Sequence, residues 1–191
     1  MSIPISACFL SIICFTIPYL QSSYGQGELE GWKTYVDPEK KFTLFYPPDW
    51  TVKGKENFLS TIDLTLTNPK LERPFKVTMT YTLNDSSLIN GTHIITPENN
   101  LRDMELQRKP SYQEYHIVTK NPENYSIYGF PTASDVADYK THSGEIGRVL
   151  NINAIINGKN SFLLSYFNSV ENFYRQLPII KSITNSIITL K

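Results

Sequence analysis

Apolar and polar side chains alternate along the first half of the chain. Residues 61–67 and 75–82 place an apolar side chain at every second position, with threonines and charged residues between them. Residues 42–46 follow a looser version of the same pattern. A period of two is typical of antiparallel strands that bury one face and expose the other. The first half is therefore predicted to form part of a sheet.

The second half contains a hairpin signal. Residues 147–156 and 159–167 are predicted strands, and the dipeptide Asn157-Gly158 joins them. Asn-Gly is favoured where two consecutive residues need a positive φ, as in a type I′ turn. Two further strands are predicted, at 112–119 and 132–141.

A first helix is predicted between these strands. Thr96-Pro97-Glu98 combines an N-cap residue, a proline in the first turn and an early acid. The helix is expected to run to about Arg108 and to stop before Pro110.

A second helix is predicted at the C-terminus, with Ser169 as its cap. Its apolar side chains recur every three or four positions and form a stripe that can pack on a sheet; they are Val170, Phe173, Leu177, Ile180, Thr184 and Ile187. Pro178 cannot donate a hydrogen bond to the preceding turn, so a kink or a restart is expected there. Strands and helices in this order predict an α+β fold with a central antiparallel sheet flanked by helices.

Composition indicates a single domain of ordinary size. No repeat or low-complexity stretch interrupts the chain after the leader, so residues 26–191 are assigned to one domain. Lys and Arg total 18, and Asp and Glu also total 18, which gives a formal net charge of zero. Nucleic-acid binding needs a strongly basic surface and is therefore not expected.

The first 25 residues contain no charged side chain and include a long apolar run. Residues 1–25 are predicted to be a secretory signal peptide cleaved after Gly25, and the alternative is an uncleaved membrane anchor. Both cysteines, Cys8 and Cys14, lie in this leader. The mature domain would then have no thiol for a disulfide or a metal site. The protein is expected outside the cytoplasm, touching the membrane only through this segment or a docked complex.

The segment KKFTLFYPPDW, residues 40–50, runs from an aromatic strand into two prolines. Pro47 has no N–H for a strand ladder and Pro48 keeps Pro47 extended, so the strand is expected to end at Tyr46. The turn then returns Trp50 to the sheet. We interpret Trp50 as a core anchor, with stacking on a ligand as the alternative.

Aromatic, proline and glycine residues recur in a set order from Trp32 to Ser186. In the first half they are Trp32, Tyr35, Asp37-Pro38, Phe42, Leu44, Tyr46, Pro47 and Trp50; in the second half they are Tyr128, Gly129, Pro131, Ala133, Tyr139, Gly158, Lys159, Phe162, Phe173, Leu177, Pro178 and Ser186. This order resembles the PsbP-like domain family, with its Mog/PsbP-type fold. The resemblance implies an α/β/α sandwich with structural anchors at Trp32, Tyr46, Pro47, Trp50, Gly129, Pro131, Gly158, Phe173 and Pro178.

The resemblance also implies a role. PsbP proteins dock on a membrane complex and help it retain inorganic ions, so a non-enzymatic accessory or binding protein is expected outside the cytoplasm, with an extracytoplasmic protein or a membrane complex as partner. The segment ahead of the domain contributes to the role of PsbP, and here only Gln26 to Gly31 precede Trp32. The fold is therefore expected to transfer, and the photosystem function is not. The alternative is an extracytoplasmic protein that binds a small molecule, a glycan or a metal ion.

One group of side chains could hold a metal ion. Asp135, Asp138, His142 and Glu145 lie on or just after a predicted strand, where they could bind a hard divalent cation or Zn²⁺. The alternative interpretation is a solvated strand and hairpin rim. No other cofactor is expected. Nucleophile and phosphate-loop motifs are absent from the sequence, so enzyme activity is not expected.

Polar surface features complete the expectations. Asn84, Asn90 and Asn124 each begin an N-glycosylation sequon in a predicted loop. The threonine-rich faces of residues 61–67 and 76–82 could bind sugars or a cell-surface protein, or could be ordinary solvated sheet.

Overall fold

The computed structural model describes residues 30–56, 61–71, 75–82, 96–127, 129–158 and 160–190. The strands are β1 (Lys33–Val36), β2 (Phe42–Tyr46), β3 (Thr51–Glu56), β4 (Thr61–Thr67), β5 (Lys76–Thr82), β6 (Glu114–Lys120), β7 (Thr132–Lys140), β8 (Ile146–Ile156), β9 (Asn160–Asn168) and β10 (Ile188–Thr189). The helices are α1 (Pro97–Arg108) and α2 (Phe173–Asn185), and a short 3₁₀ turn, Lys109–Ser111, follows α1. Within this described part, no helix has the length and apolar character needed to cross a membrane.

Seven strands form the main sheet, in the order β3-β4-β5-β9-β8-β7-β6. Every neighbouring pair is antiparallel. Because side chains alternate across each strand, the register gives the sheet two distinct faces. The apolar face carries Val77, Met79, Val136, Leu150, Ile152, Leu164 and Tyr166, whereas the polar face carries Thr78, Asp135, Asn151, Asn153, Ser161 and Ser165.

The main core lies on the apolar face. A second sheet of three strands, in the order β1-β2-β10, contributes Phe42 and Leu44, which are 1% and 0% exposed. Phe42 packs edge-on against Phe162 of β9, with ring centroids 5.7 Å apart. α2 joins the same core, because Phe173 stacks on Tyr166 at 5.0 Å.

The first helix begins and ends as predicted and lies on the polar face. The Thr96 hydroxyl accepts a hydrogen bond from the Asn99 N–H at 3.3 Å, Pro97 occupies the first turn, and the helix ends at Arg108. α1 packs against β7 and β8, and the buried residues of α1 are Pro97 and Leu101. With α2 on the opposite face, the α+β prediction of a central antiparallel sheet flanked by helices is confirmed.

The start of the second helix was predicted wrongly. α2 begins at Phe173 and no side chain caps it, whereas the predicted cap Ser169 forms the turn before the helix, where its hydroxyl accepts from the Asn172 N–H at 3.4 Å. The predicted restart at Pro178 is not observed, since α2 continues through this residue. Pro178 and Tyr174 are both exposed, so water can satisfy the carbonyl that proline leaves without a donor.

The hairpin between β8 and β9 has the predicted turn chemistry. Asn157 and Gly158 adopt φ values of 53° and 65°. The pair Ile156 and Asn160 closes the hairpin. An alanine at Gly158 would have to adopt a left-handed backbone conformation that side chains with a Cβ disfavour.

Candidate functional site

The structure does not bring the four predicted metal ligands together. Asp135 points to the polar face beneath α1, whereas Asp138, three residues later, points to the opposite face, because side chains alternate along β7. His142 and Glu145 are exposed in the turn between β7 and β8. Among the described residues, no group of three or more His, Cys, Asp or Glu side chains could hold a metal ion.

Asp138 has a different partner. The guanidinium of Arg148 on β8 donates to both carboxylate oxygens of Asp138, at 2.5 Å and 2.8 Å. These hydrogen bonds and the positive charge of Arg148 lower the pKa of Asp138, although partial burial acts in the opposite direction. A bidentate ion pair of this kind fixes the orientation of the arginine.

Arg148 lies beside two exposed side chains, Ile146 and Tyr174, and these three residues define the Arg148 surface. A guanidinium N–H donates to the Tyr174 hydroxyl at 3.0 Å. The Cζ of Arg148 lies 5.5 Å from the centroid of the Tyr174 ring. Ile146 is 62% exposed and Tyr174 is 58% exposed. Arg148, two residues after Ile146 on β8, is itself only 12% exposed, so Ile146 and Tyr174 form the exposed part of this surface. Tyrosine and arginine are among the residues enriched at protein interfaces.

A second polar group, the Arg108 cluster, lies between α1 and the sheet; it comprises the half-buried Arg108 and the buried Tyr115, Asp135, Asn151 and Ser165. Arg108 donates to the Asn151 side-chain oxygen at 2.6 Å and to the Ser165 hydroxyl at 2.9 Å. The Ser165 hydroxyl in turn donates to the Asn151 oxygen at 2.9 Å. The Asn151 amide nitrogen donates to Asp135 at 2.8 Å and to the Tyr115 hydroxyl at 3.3 Å.

Burial controls ionisation in the Arg108 cluster. Desolvation raises the pKa of the Asp135 carboxyl, although the hydrogen bond from Asn151 acts in the opposite direction. Desolvation also raises the pKa of the Tyr115 hydroxyl, and the nearby Asp135 charge raises it further. The cluster therefore contains the Arg108 guanidinium and the Asp135 carboxyl, and burial disfavours the ionised form of the Asp135 carboxyl.

Sequence reasoning missed the Arg108 cluster, although one signal was present. In β8, Asn151 and Asn153 alternate with apolar residues, yet they are 0% and 1% exposed. An asparagine at alternate positions of a strand indicates a solvated face unless another element covers it. That element is α1, which is distant from β8 in the sequence.

The predicted anchors occupy varied positions. Trp50 is 3% exposed, its ring packs edge-on against Phe75 with centroids 5.0 Å apart, and its backbone N–H donates to the Pro47 carbonyl at 3.1 Å. Pro47 and Phe173 are also buried; Trp32 and Tyr46 are half-buried; and Gly129, Pro131, Gly158 and Pro178 are exposed. Gly129 adopts a positive φ of 75°.

Of the glycosylation candidates, Asn124 lies in an exposed loop before β7. Asn84 and Asn90 lie outside the described residues, as do the predicted signal peptide and both cysteines. Of the threonine-rich strands, Thr65 of β4 lies opposite Thr78 of β5 on the polar face.

No protein-family profile and no curated protein sequence matches the chain. Several solved structures do match it. Cyanobacterial PsbP (CyanoP) from Synechocystis has a TM-score of 0.57 at 13% identity, over 88% of this chain and 98% of that protein. LpqN of Mycobacterium tuberculosis, described as involved in cell envelope biogenesis, has a TM-score of 0.53 at 12% identity, over 84% and 91%.

The Ran-binding protein Mog1p of Saccharomyces cerevisiae also matches, with a TM-score of 0.52 at 7% identity, over 82% of this chain and 94% of that protein. At these identities the likeness concerns the fold, and it extends over nearly the full length of each relative. The resemblance predicted from the order of aromatic, proline and glycine residues is therefore confirmed at the level of the fold: this chain has a PsbP/Mog1-like fold.

Proposed function

We propose that the protein is an exported, non-enzymatic accessory protein that binds a protein or a membrane complex outside the cytoplasm. The apolar leader, residues 1–25, supports export. The fold supports a binding role, since it is shared with a Ran-binding protein and with a protein of cell envelope biogenesis. Fold alone does not determine function, so the proposal depends on a particular surface.

The observation that carries the proposal is the Arg148 surface. Tyr174 and Ile146 leave more than half of their side chains in water, which costs free energy unless a partner covers them. Arg148 is held by Asp138 and by Tyr174, so little side-chain entropy remains to be lost when a partner binds. Because Asp138 neutralises Arg148, the expected partner offers an apolar contact and a hydrogen-bond acceptor rather than a strongly acidic patch.

Site-directed photo-crosslinking in intact cells tests the binding site. A photoreactive residue at Ile146 is expected to crosslink one extracytoplasmic protein or membrane complex, identified by mass spectrometry. The control position is Leu106 on α1, because it is equally exposed, at 61%, and lies on the other side of the sheet. Equal crosslinking from both positions would contradict a specific surface.

A variant then measures the contribution of the aromatic side chain. Tyr174→Ala is expected to weaken binding to the captured partner by about 2 kcal/mol, or roughly thirtyfold, as for an interface hot spot. Because Tyr174 is exposed, the melting temperature of the variant protein should differ little from that of the unsubstituted protein. Unchanged affinity would remove the Arg148 surface from the proposal.

The export half of the proposal is tested separately. Mass spectrometry of the protein recovered from cells is expected to find Gln26 at the N-terminus, or an intact leader in the membrane fraction if residues 1–25 serve as an anchor. Full-length protein in the soluble cytoplasmic fraction would contradict export.

A further inference from the structure

Two cations approach one aromatic ring on the polar face of the main sheet. The Nζ of Lys76 lies 4.8 Å from the centroid of the Phe167 ring, and the Cζ of Arg108 lies 5.9 Å from it. Lys76 and Phe167 are strand partners, and Arg108 reaches the ring from α1. In the described part of the chain, neither cation takes part in an ion pair. Two positive charges therefore lie beside the same ring, and neither forms an ion pair with a carboxylate of the described residues.

Arg108 is held rigidly. Its two hydrogen bonds go to Asn151 and Ser165, which are 0% and 1% exposed and which also bond to each other. A guanidinium carries five N–H donors. Two donate to these groups, so donors remain for a ligand. A donor whose orientation is already set loses little entropy on binding.

Asp135 is close enough to feel the charge of Arg108, but no ion pair joins the two side chains. Asn151 stands between them, since its oxygen accepts from Arg108 while its nitrogen donates to Asp135. Asp135 is only 5% exposed, and burial raises its pKa. Asp135 thus orients Asn151, which positions Arg108, and Arg108 itself is only half-buried.

A hydroxyl group lies beside the two cations. Thr78 is two residues after Lys76 on β5, points to the same face, and is the strand partner of Ser165. Both Lys76 and Thr78 are accessible to solvent. An arginine and a lysine on one surface provide the fork and the point charge that commonly bind oxyanions. The Thr78 hydroxyl donates a long hydrogen bond to the Ser165 carbonyl, at 3.4 Å; because a hydroxyl rotates, it can turn to a ligand instead and add a neutral donor.

We propose that Lys76, Thr78 and Arg108 bind a doubly charged oxyanion, a phosphate group, beside the ring of Phe167. This site lies on the opposite face of the sheet from the Arg148 surface, so it is independent of the accessory role proposed above. The phosphate is either the free ion or the phosphate group of an ester, and the same three donors serve both.

Titration calorimetry of the purified protein tests the site. Inorganic phosphate, added at constant ionic strength with chloride as the balancing anion, is expected to bind saturably with a dissociation constant of about 1 mM, as for a small, solvent-accessible site. Glucose 6-phosphate is the ester probe. Tighter binding of the ester identifies an ester ligand, and equal binding identifies the free ion; both results support the site. Absence of saturable binding of either probe up to about 20 mM would overturn the proposal.

Variants separate a specific site from general charge. Lys76→Gln is expected to weaken phosphate binding about fivefold, because the loss of one partly solvated charge contact typically changes the binding free energy by about 1 kcal/mol. Lys53→Gln is the matched control, because Lys53 is also an exposed lysine on the polar face but lies two strands further out. We expect less than about twofold weakening for this control. Equal weakening by the two variants would overturn the proposal. Thr78→Val, which keeps the shape of the side chain, should weaken binding without moving the melting temperature.

Discussion

Trp50 should be among the largest single contributors to stability. Its side chain is 3% exposed and packs edge-on against Phe75. The Phe75 ring in turn packs against Tyr166 of the main sheet, with ring centroids 5.8 Å apart. Trp50→Ala would remove this contact and leave a cavity between the turn after β2 and the sheet. Removing a large aromatic side chain from a core costs about 3–5 kcal/mol. In a domain of this size, such a loss lowers the melting temperature by roughly 10 °C or more.

Urea unfolding followed by far-ultraviolet circular dichroism measures the effect. Fluorescence is unsuitable, because Trp50 is one of only two tryptophans and its removal changes the signal itself. With a urea dependence of about 2 kcal/mol per molar, the expected loss moves the midpoint down by roughly 2 M. Trp50→Phe is the matched control, since it keeps an aromatic ring against Phe75, and it should lose about half as much.

A midpoint for Trp50→Ala within about 0.3 M of the unsubstituted protein would refute the core-anchor interpretation. It would favour the alternative, in which Trp50 stacks on a ligand. If Trp50→Ala does not fold at all, the size of the Trp50→Phe loss still decides between the two.

Three further predictions concern other parts of the sheet. Asp135→Asn should gain stability relative to the unsubstituted protein as pH rises from below 3.8 to neutrality, because burial raises the folded pKa of Asp135 and its ionisation then costs free energy; urea titrations across pH measure this gain. Arg148→Ala should lose about 1–3 kcal/mol at pH 7, and this loss should shrink as pH falls through the lowered pKa of Asp138, so an equal loss at pH 2 would contradict the ion-pair reasoning. Gly147→Ala should destabilise by about 1–3 kcal/mol, because a Cβ there would lie 2.5 Å from Cζ of Tyr139, and a thermal melt checks it.

Much of the main sheet could be predicted because its strands are long and one face is apolar. β5 buries Val77, Met79 and Tyr81 and leaves the residues between them more accessible, so the period of two is plain in the sequence. The hairpin of β8 and β9 carries an additional local signal in Asn157-Gly158. These elements depend on residues close together in the chain, which is where pattern reasoning is strongest.

The second sheet was not predicted, because two of its three strands lack a clear period of two. β10 has two residues, and β1 shows no alternation, since only Tyr35 is partly buried. Both pair with β2, and β10 does so from the other end of the chain. A strand without alternation and a strand of two residues carry too little periodic signal to be recognised, and their pairing with β2 could not be read from the sequence.

The candidate sites were missed because each depends on which element covers which face. The alternation of β7 correctly separates Asp135 from Asp138, but it does not reveal that α1 covers Asp135 or that Arg148 pairs with Asp138. A carboxylate in a strand can therefore have at least three roles: it can bind a metal ion, form an ion pair, or be a buried hydrogen-bonded acid. Here the elements packed above it decide among them.

The two faces of the main sheet are stabilised by different interactions, and this difference indicates which face suits a charged ligand. The apolar face is covered by α2 and the small sheet through aromatic and aliphatic packing, as in Phe173 on Tyr166. α1 buries little apolar surface on the polar face, and its last turn is joined to the sheet by the Arg108 hydrogen bonds. Polar groups buried under such a helix must be satisfied by specific partners. A surface that holds polar groups in set orientations can recognise a charged ligand, so the polar face is the side of the sheet suited to the phosphate proposed above, whereas the Arg148 surface on the other side suits a protein partner.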